Sequence, residues 1–152
     1  LEGTSHEEVP ARLTAAMPEG IVVSACYPVE RKLKDLRYVN YIMTFDYPDG
    51  RPQETEPAME ELLGRESLVV KKKSNKAKAG FTEVDLIPLI RGWRIECQSD
   101  TMTLDMVVSA QNPGLNPELI RSTFCTEYPE YTPDFVTFHR REVLDGDGEP
   151  FR

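Results

Sequence analysis

Apolar runs are short in this sequence: LVV at 68–70, IVV at 21–23 and MVV at 106–108 each stop at three residues. A bilayer span needs about 20 predominantly apolar residues, so no membrane segment is read here. Cysteine is scarce and odd in number. Cys26, Cys97 and Cys125 stand far apart, which suits neither the even framework of a small secreted domain nor the close pairs of a zinc site. A reducing cytoplasm is the simplest expectation. The opening LEGTSHEEVP carries neither a basic region nor an apolar stretch, so it is not read as a signal peptide. Phosphate-binding loops, Rossmann fingerprints, nucleophile elbows and zinc-protease helices are lacking as well, which weighs against an autonomous enzyme. Histidine is limited to His6 and His139, at opposite ends of the chain.

The 152 residues, 39% hydrophobic and 29% charged, suit one compact soluble domain, or one domain and part of a second. Charge is the unusual property. Lys71, Lys72, Lys73, Lys76 and Lys78 put +5 into ten residues that hold no carboxylate, in a chain whose net charge is −8, so the remainder carries −13. Three explanations stay open for such segregation: a solvated hairpin tip that protects an edge strand, a phosphate-binding surface, or a docking patch for an acidic partner. Lysines of this kind position a nucleic-acid backbone without reading bases. On the RNA reading, solvent-facing aromatics and Arg140 and Arg141 must supply stacking or selectivity.

Ser5 and Glu8 stand at capping-box spacing, and Val9, Leu13, Ala16 and Met17 share a helical face, so residues 5–17 read as a helix; Pro10 argues for a start at Val9. The β-branched density of IVVSACYPV at 21–29 predicts a strand. At 38–47, Val39, Tyr41, Met43, Phe45 and Tyr47 alternate with Asn40, Ile42, Thr44 and Asp46, the pattern of a half-buried strand. TEPAMEELLGR at 55–65 reads as a short helix that buries Met59, Leu62 and Leu63 and stops at Gly64. Two strands at 67–74 and 80–90 flank the lysine-rich turn, and Pro88 ends the second early or confines it to an edge.

A hairpin follows at 92–110, with Trp93, Ile95, Cys97, Met102, Leu104, Met106 and Val108 toward the core. Asn116 caps a helix that begins at Pro117, and a last strand at 134–144 turns Val136 and Phe138 inward. From residue 36 on, the order is strand, helix, several antiparallel strands, helix, strand. This predicts an α+β fold: an antiparallel sheet with two helices on one face, ferredoxin-like or an elaboration of it. Residues 1–35 read as the helix-and-strand remnant of a preceding unit, 36–145 as the ferredoxin-like domain, and 146–152 as a flexible tail.

Glu83 and Asp85, two apart on a strand, share a face and could sit beside Lys71 and Lys73 as a charge ladder or as paired acid and base. His139 reads as a polar-face strand residue. Cys26 and Cys97 lie on expected core faces as small hydrophobes. No catalytic residue, metal site or cofactor is assigned.

LTAAMPEGI, VVKKKSNKAKAGFTEVDLIPLI, SAQNPGLNPELI and FHRREVL, in that order and over residues 5–144, resemble the bacterial radical SAM-linked proteins, a domain of unknown function. The resemblance implies an accessory domain that accompanies a radical SAM protein and is encoded near RNA-processing ribonucleases. It also implies a longer parent, of which this chain resembles a C-terminal fragment. With no three-cysteine iron–sulfur motif in the chain, the radical chemistry would belong to the partner. The expectation is therefore a non-catalytic module that binds RNA or tRNA through Lys71, Lys72, Lys73, Lys76, Lys78, Arg140 and Arg141. The alternative is a protein-interaction module that docks the partner enzyme without touching nucleic acid.

Overall fold

A computed structural model describes residues 5–28, 31–73 and 80–151, so Lys76 and Lys78 lie outside the described residues. The chain divides into two compact units, residues 1–32 and 33–152.

The first unit holds one helix, α1 (Glu8–Ala16), which buries none of its residues. Its start is one residue earlier than Val9, and the expected capping box is not made: no side chain caps α1, and Glu8 N donates to the Ser5 carbonyl instead at 3.1 Å. Pro10 falls in the first turn, where backbone N–H groups have no intrahelical acceptor anyway, so its missing donor costs nothing. The strand expected at 21–29 is not formed over its described residues, 21–28. Ile21 and Val22 are exposed, and Val23 N donates to Thr14 Oγ1 at 3.0 Å. β-Branched composition favours an extended backbone, but a strand exists only with a ladder partner, and none of the described residues pairs with this segment.

The second unit is built on a four-stranded antiparallel sheet in the order β4 (Ile90–Cys97), β5 (Thr101–Ser109), β1 (Tyr38–Asp46), β6 (Phe135–Leu144). Two helices, α2 (Thr55–Leu63) and α3 (Pro117–Glu127), join its strands, and a separate two-stranded sheet, β2 (Val69–Lys73) and β3 (Phe81–Asp85), is inserted after α2. Without that hairpin the chain order is β-α-β-β-α-β, so the fold is α+β and consistent with a ferredoxin-like sheet elaborated by one hairpin.

The alternation of β1 sets the sheet's two faces. Val39 stands opposite Val108, Met43 opposite Leu104 and Phe45 opposite Met102, and these six side chains are buried. Met59, Leu62, Ile120 and Phe124 of the two helices complete that core, with Phe124 edge-on to Phe45 at 6.0 Å between centroids. Asn116 caps α3 as its sequence predicts, its Oδ1 accepting from Glu118 N at 3.1 Å. An Arg65 clamp ties the two helices: its guanidinium donates to Glu61 of α2 at 3.0 Å, to Glu127 of α3 at 3.3 Å and to the Tyr128 hydroxyl at 3.3 Å.

Trp93 and Phe138 face the helix side by register but remain 37% and 38% exposed, because β4 and β6 are the sheet's edges and the helices cover its middle. Pro88 sits in a short 3-10 turn (Ile87–Leu89) that separates β3 from β4. After β6 the described chain turns back on that strand: Asp145 N donates to the Glu149 carbonyl at 2.9 Å and Phe151 N to the Val143 carbonyl at 2.7 Å. No helix among the described residues is long and apolar enough to cross a membrane.

Candidate nucleic-acid interface

The lysine run enters the structure on β2, and register decides where each side chain points. Lys71 stands opposite Glu83, Lys72 opposite Thr82 and Lys73 opposite Phe81. Val70 and Val84, directly opposed, pack against the core, which makes their side of the hairpin the inner one. Lys72 lies two residues beyond Val70 and therefore shares the inner side. The outer side carries Lys71, Glu83 and the exposed Val69 and Phe81.

The inner side faces a cleft of about 430 Å³ that Lys72 lines together with Tyr41, Ser109, Ala110, Gly114 and Asn116. Tyr41 belongs to the buried face of β1, but at the end of the sheet that the helices leave open it stays half-exposed and forms part of the cleft wall. Arg140 of β6 stands opposite Tyr41 on the same face of the sheet. Two cations are thus associated with one aromatic residue: Lys72, which lines the cleft with Tyr41, and Arg140, its cross-strand neighbour on the edge strand. Neither makes an ion pair among the described residues, and the Tyr41 hydroxyl makes no hydrogen bond among them. Lys71 lines a smaller neighbouring cleft of about 230 Å³ with Val70, Leu119, Ser122 and Thr123.

Arg141, adjacent in sequence to Arg140, is directed elsewhere. The β1–β6 register shifts between Asn40 and Tyr41, so Tyr41 pairs with Arg140 while Asn40 pairs with Glu142. Arg141 is the extra residue, and its guanidinium lies 3.6 Å from Asp105 on the uncovered face, where Asp105 also accepts from Asn40 Nδ2 at 2.6 Å. The basic residues singled out by sequence that are among the described ones are therefore set on different faces. Lys72 lines the cleft with Tyr41 and Arg140 stands opposite Tyr41 on β6; Lys71 lies on the hairpin's other side; Arg141 belongs to the opposite face of the sheet; only the backbone position of Lys73 is described. Tyr41 itself went unnoticed in the sequence because its alternation marks it as core, and its phenol does not set it apart from Tyr47 on the same face.

The carboxylates do not form an acid–base pair. Asp85 accepts from Leu68 N at 2.8 Å, Ser67 Oγ at 2.8 Å and Ile87 N at 3.2 Å. The Leu68 N–H, the Ser67 hydroxyl and the Ile87 N–H all favour the ionised form and hold Asp85 below the usual carboxylate range. Its work is to fasten the base of the hairpin. Glu83 is opposite Lys71 without an ion pair among the described residues, and His139 is opposite Ile42 on the uncovered face, remote from both. Cys97 is half-buried, and burial pushes its thiol up to about 11, which keeps it protonated and unreactive near neutral pH. Among the described residues no three His, Cys, Asp or Glu side chains gather as metal ligands.

A family model described as an uncharacterized protein conserved in bacteria (DUF2344) matches residues 1–117, and the chain belongs to that family. The matched span includes Tyr41 and Lys72 and ends at the first residue of α3; Arg140 lies beyond it. No curated protein and no solved structure matches the chain.

Proposed function

We propose that this DUF2344 member is a non-catalytic accessory module that holds RNA by its phosphate backbone and presents it to a radical SAM protein. The lysine run supplies the charge: Lys71, Lys72 and Lys73 on β2 and, beyond it in sequence, Lys76 and Lys78. The observation that carries the RNA reading is a pair of cations without ion pairs among the described residues: Lys72, which lines a cleft with Tyr41, and Arg140, opposite Tyr41 on β6. Cations beside an exposed aromatic ring are what a flexible polyanion with stacking bases requires. The radical SAM partner rests on the resemblance of the four quoted segments alone. Arg141 is left out of the binding set because Asp105 already offsets its charge.

Titration of the chain with tRNA over a salt series tests this. Binding is expected to weaken steeply with salt. A Lys71→Ala/Lys72→Ala variant should bind about tenfold more weakly, with a salt slope shallower by about one for each phosphate that is no longer neutralised. The variant's unfolding free energy should stay within about 0.5 kcal/mol, since both lysines are exposed and make no ion pair among the described residues. Failure to bind in dilute buffer, or binding that ignores the double substitution, ends the reading.

A second reading has its own observation. Phe135, 66% exposed on edge strand β6, adjoins the uncovered face that carries Ile42 and His139. A module that docks its radical SAM partner through this edge would co-purify with it at high salt, where attraction to phosphates is screened away.

A further inference from the structure

We infer that the Tyr41 cleft takes one unpaired nucleotide of RNA, with its base against the Tyr41 ring and its phosphates held by Lys72 in the cleft and by the neighbouring Arg140. This rests on the RNA reading above and goes beyond it by naming the class of RNA, a single strand and not a duplex.

Four features of the cleft lead there. Its volume, about 430 Å³, falls in the ~300–1,000 Å³ range of sites that enclose small ligands, so it has room for one nucleotide unit of a chain. Its one aromatic ring is half-exposed and its hydroxyl is free of hydrogen bonds among the described residues, so a face and a polar edge are both available. The cations come from separate elements, Lys72 from the inserted hairpin in the cleft lining and Arg140 from edge strand β6 opposite Tyr41, and so can meet successive phosphates of one strand. Asn116, in the lining, accepts from Glu118 N with its Oδ1 and keeps its amide donors for a base edge.

A duplex cannot use this arrangement. Its bases are stacked inward and its backbone meets a protein as a row of phosphates, so it would engage the exposed lysines and leave the ring empty. A single strand can splay one base into the cleft and gain stacking that the duplex forgoes.

Fluorescence anisotropy with labelled single-stranded RNA and a duplex of equal length, at one salt concentration, tests the inference. The single strand should bind about tenfold more tightly. Tyr41→Leu, which keeps apolar packing against the core, should abolish that preference, and Tyr41→Phe should retain it. Should Tyr41→Leu fail to fold, thiouridine crosslinking of the unaltered chain decides: adducts at Tyr41 or Asn116 support the cleft, and adducts confined to other segments overturn it. Equal affinity for strand and duplex, lowered alike by Lys71→Ala/Lys72→Ala, overturns the cleft and leaves the phosphate-binding reading standing. No binding of either RNA overturns both.

Discussion

The two hairpins of the second unit differ in what holds them. The β4–β5 hairpin joins a larger sheet, and one whole face of β5 is submerged: Met102, Leu104, Met106 and Val108 are all at most 1% exposed. Among the described residues the β2–β3 hairpin pairs only with itself, and its inner face offers the core two half-buried valines, Val70 and Val84. A two-stranded hairpin alone is marginal in water. This one is fixed at its base, where Leu68 and Leu86 are buried, Leu86 N donates to the Leu68 carbonyl at 2.9 Å, and Asp85 ties Ser67 and Leu68. Charge accumulates where burial stops. The most deeply buried side chains and the lysines therefore reside in different hairpins, which lets each be altered alone.

The largest expected effect is in the submerged hairpin. Leu104→Ala removes a fully buried side chain opposite Met43 and should cost about 2–5 kcal/mol in denaturant unfolding. Val84→Ala should cost less, because its side chain is already half in water. Equal costs at the two sites would mean that the inserted hairpin is as deeply integrated as the sheet.

Asp85→Ala should act locally. Hydrogen exchange at the Leu68 amide should quicken while the amides of β5 keep their protection. Acid should mimic the substitution. The folded-state pKa of Asp85 is depressed by the Leu68 N–H first and then by Ser67, so its stabilisation is fully present above the unfolded aspartate value of about 3.9 and is lost as pH falls through the lower folded value. The unaltered hairpin base should therefore loosen only on the acid side of that value. Uniform loosening of β5 in the same window would show that the two hairpins are not independent.

Most of this architecture is legible in the sequence, for a physical reason. β1 and β5 each have one buried face, so a period of two in apolarity reports their tertiary position directly, and Asn116–Pro117 announces the start of α3 through local capping chemistry. The segment at 21–28 reads falsely as a strand because pairing is a property of two segments, and composition describes one. The lysine cluster is legible as charge, but its division is not. Which face of β2 turns inward is set by the packing of Val70 and Val84, and that carries Lys72 to the cleft and leaves Lys71 outside. Tyr41 is hidden for the same kind of reason: alternation gives it the core face without saying that the helices stop short of its end of the sheet.

The smallest expected effect comes from the one-residue irregularity in β6, and it bears on the comparison most closely. Arg140 and Arg141 are chemically alike and adjacent, and nothing in FHRREVL separates them; the register shift beside Tyr41 does. Arg140→Gln removes a cation without an ion pair among the described residues from beside Tyr41, and should weaken RNA binding about two- to fivefold while lowering the salt slope by about one. Arg141→Gln removes a charge already offset by Asp105 on the other face, and Asp105 keeps its Asn40 donor, so affinity should change by less than about twofold and stability by less than about 1 kcal/mol. Parallel titrations of the two variants measure whether position or charge count governs binding. Equal losses from both would mean that the chain attracts RNA by its summed positive charge, and that the register of β6 has no part in recognition.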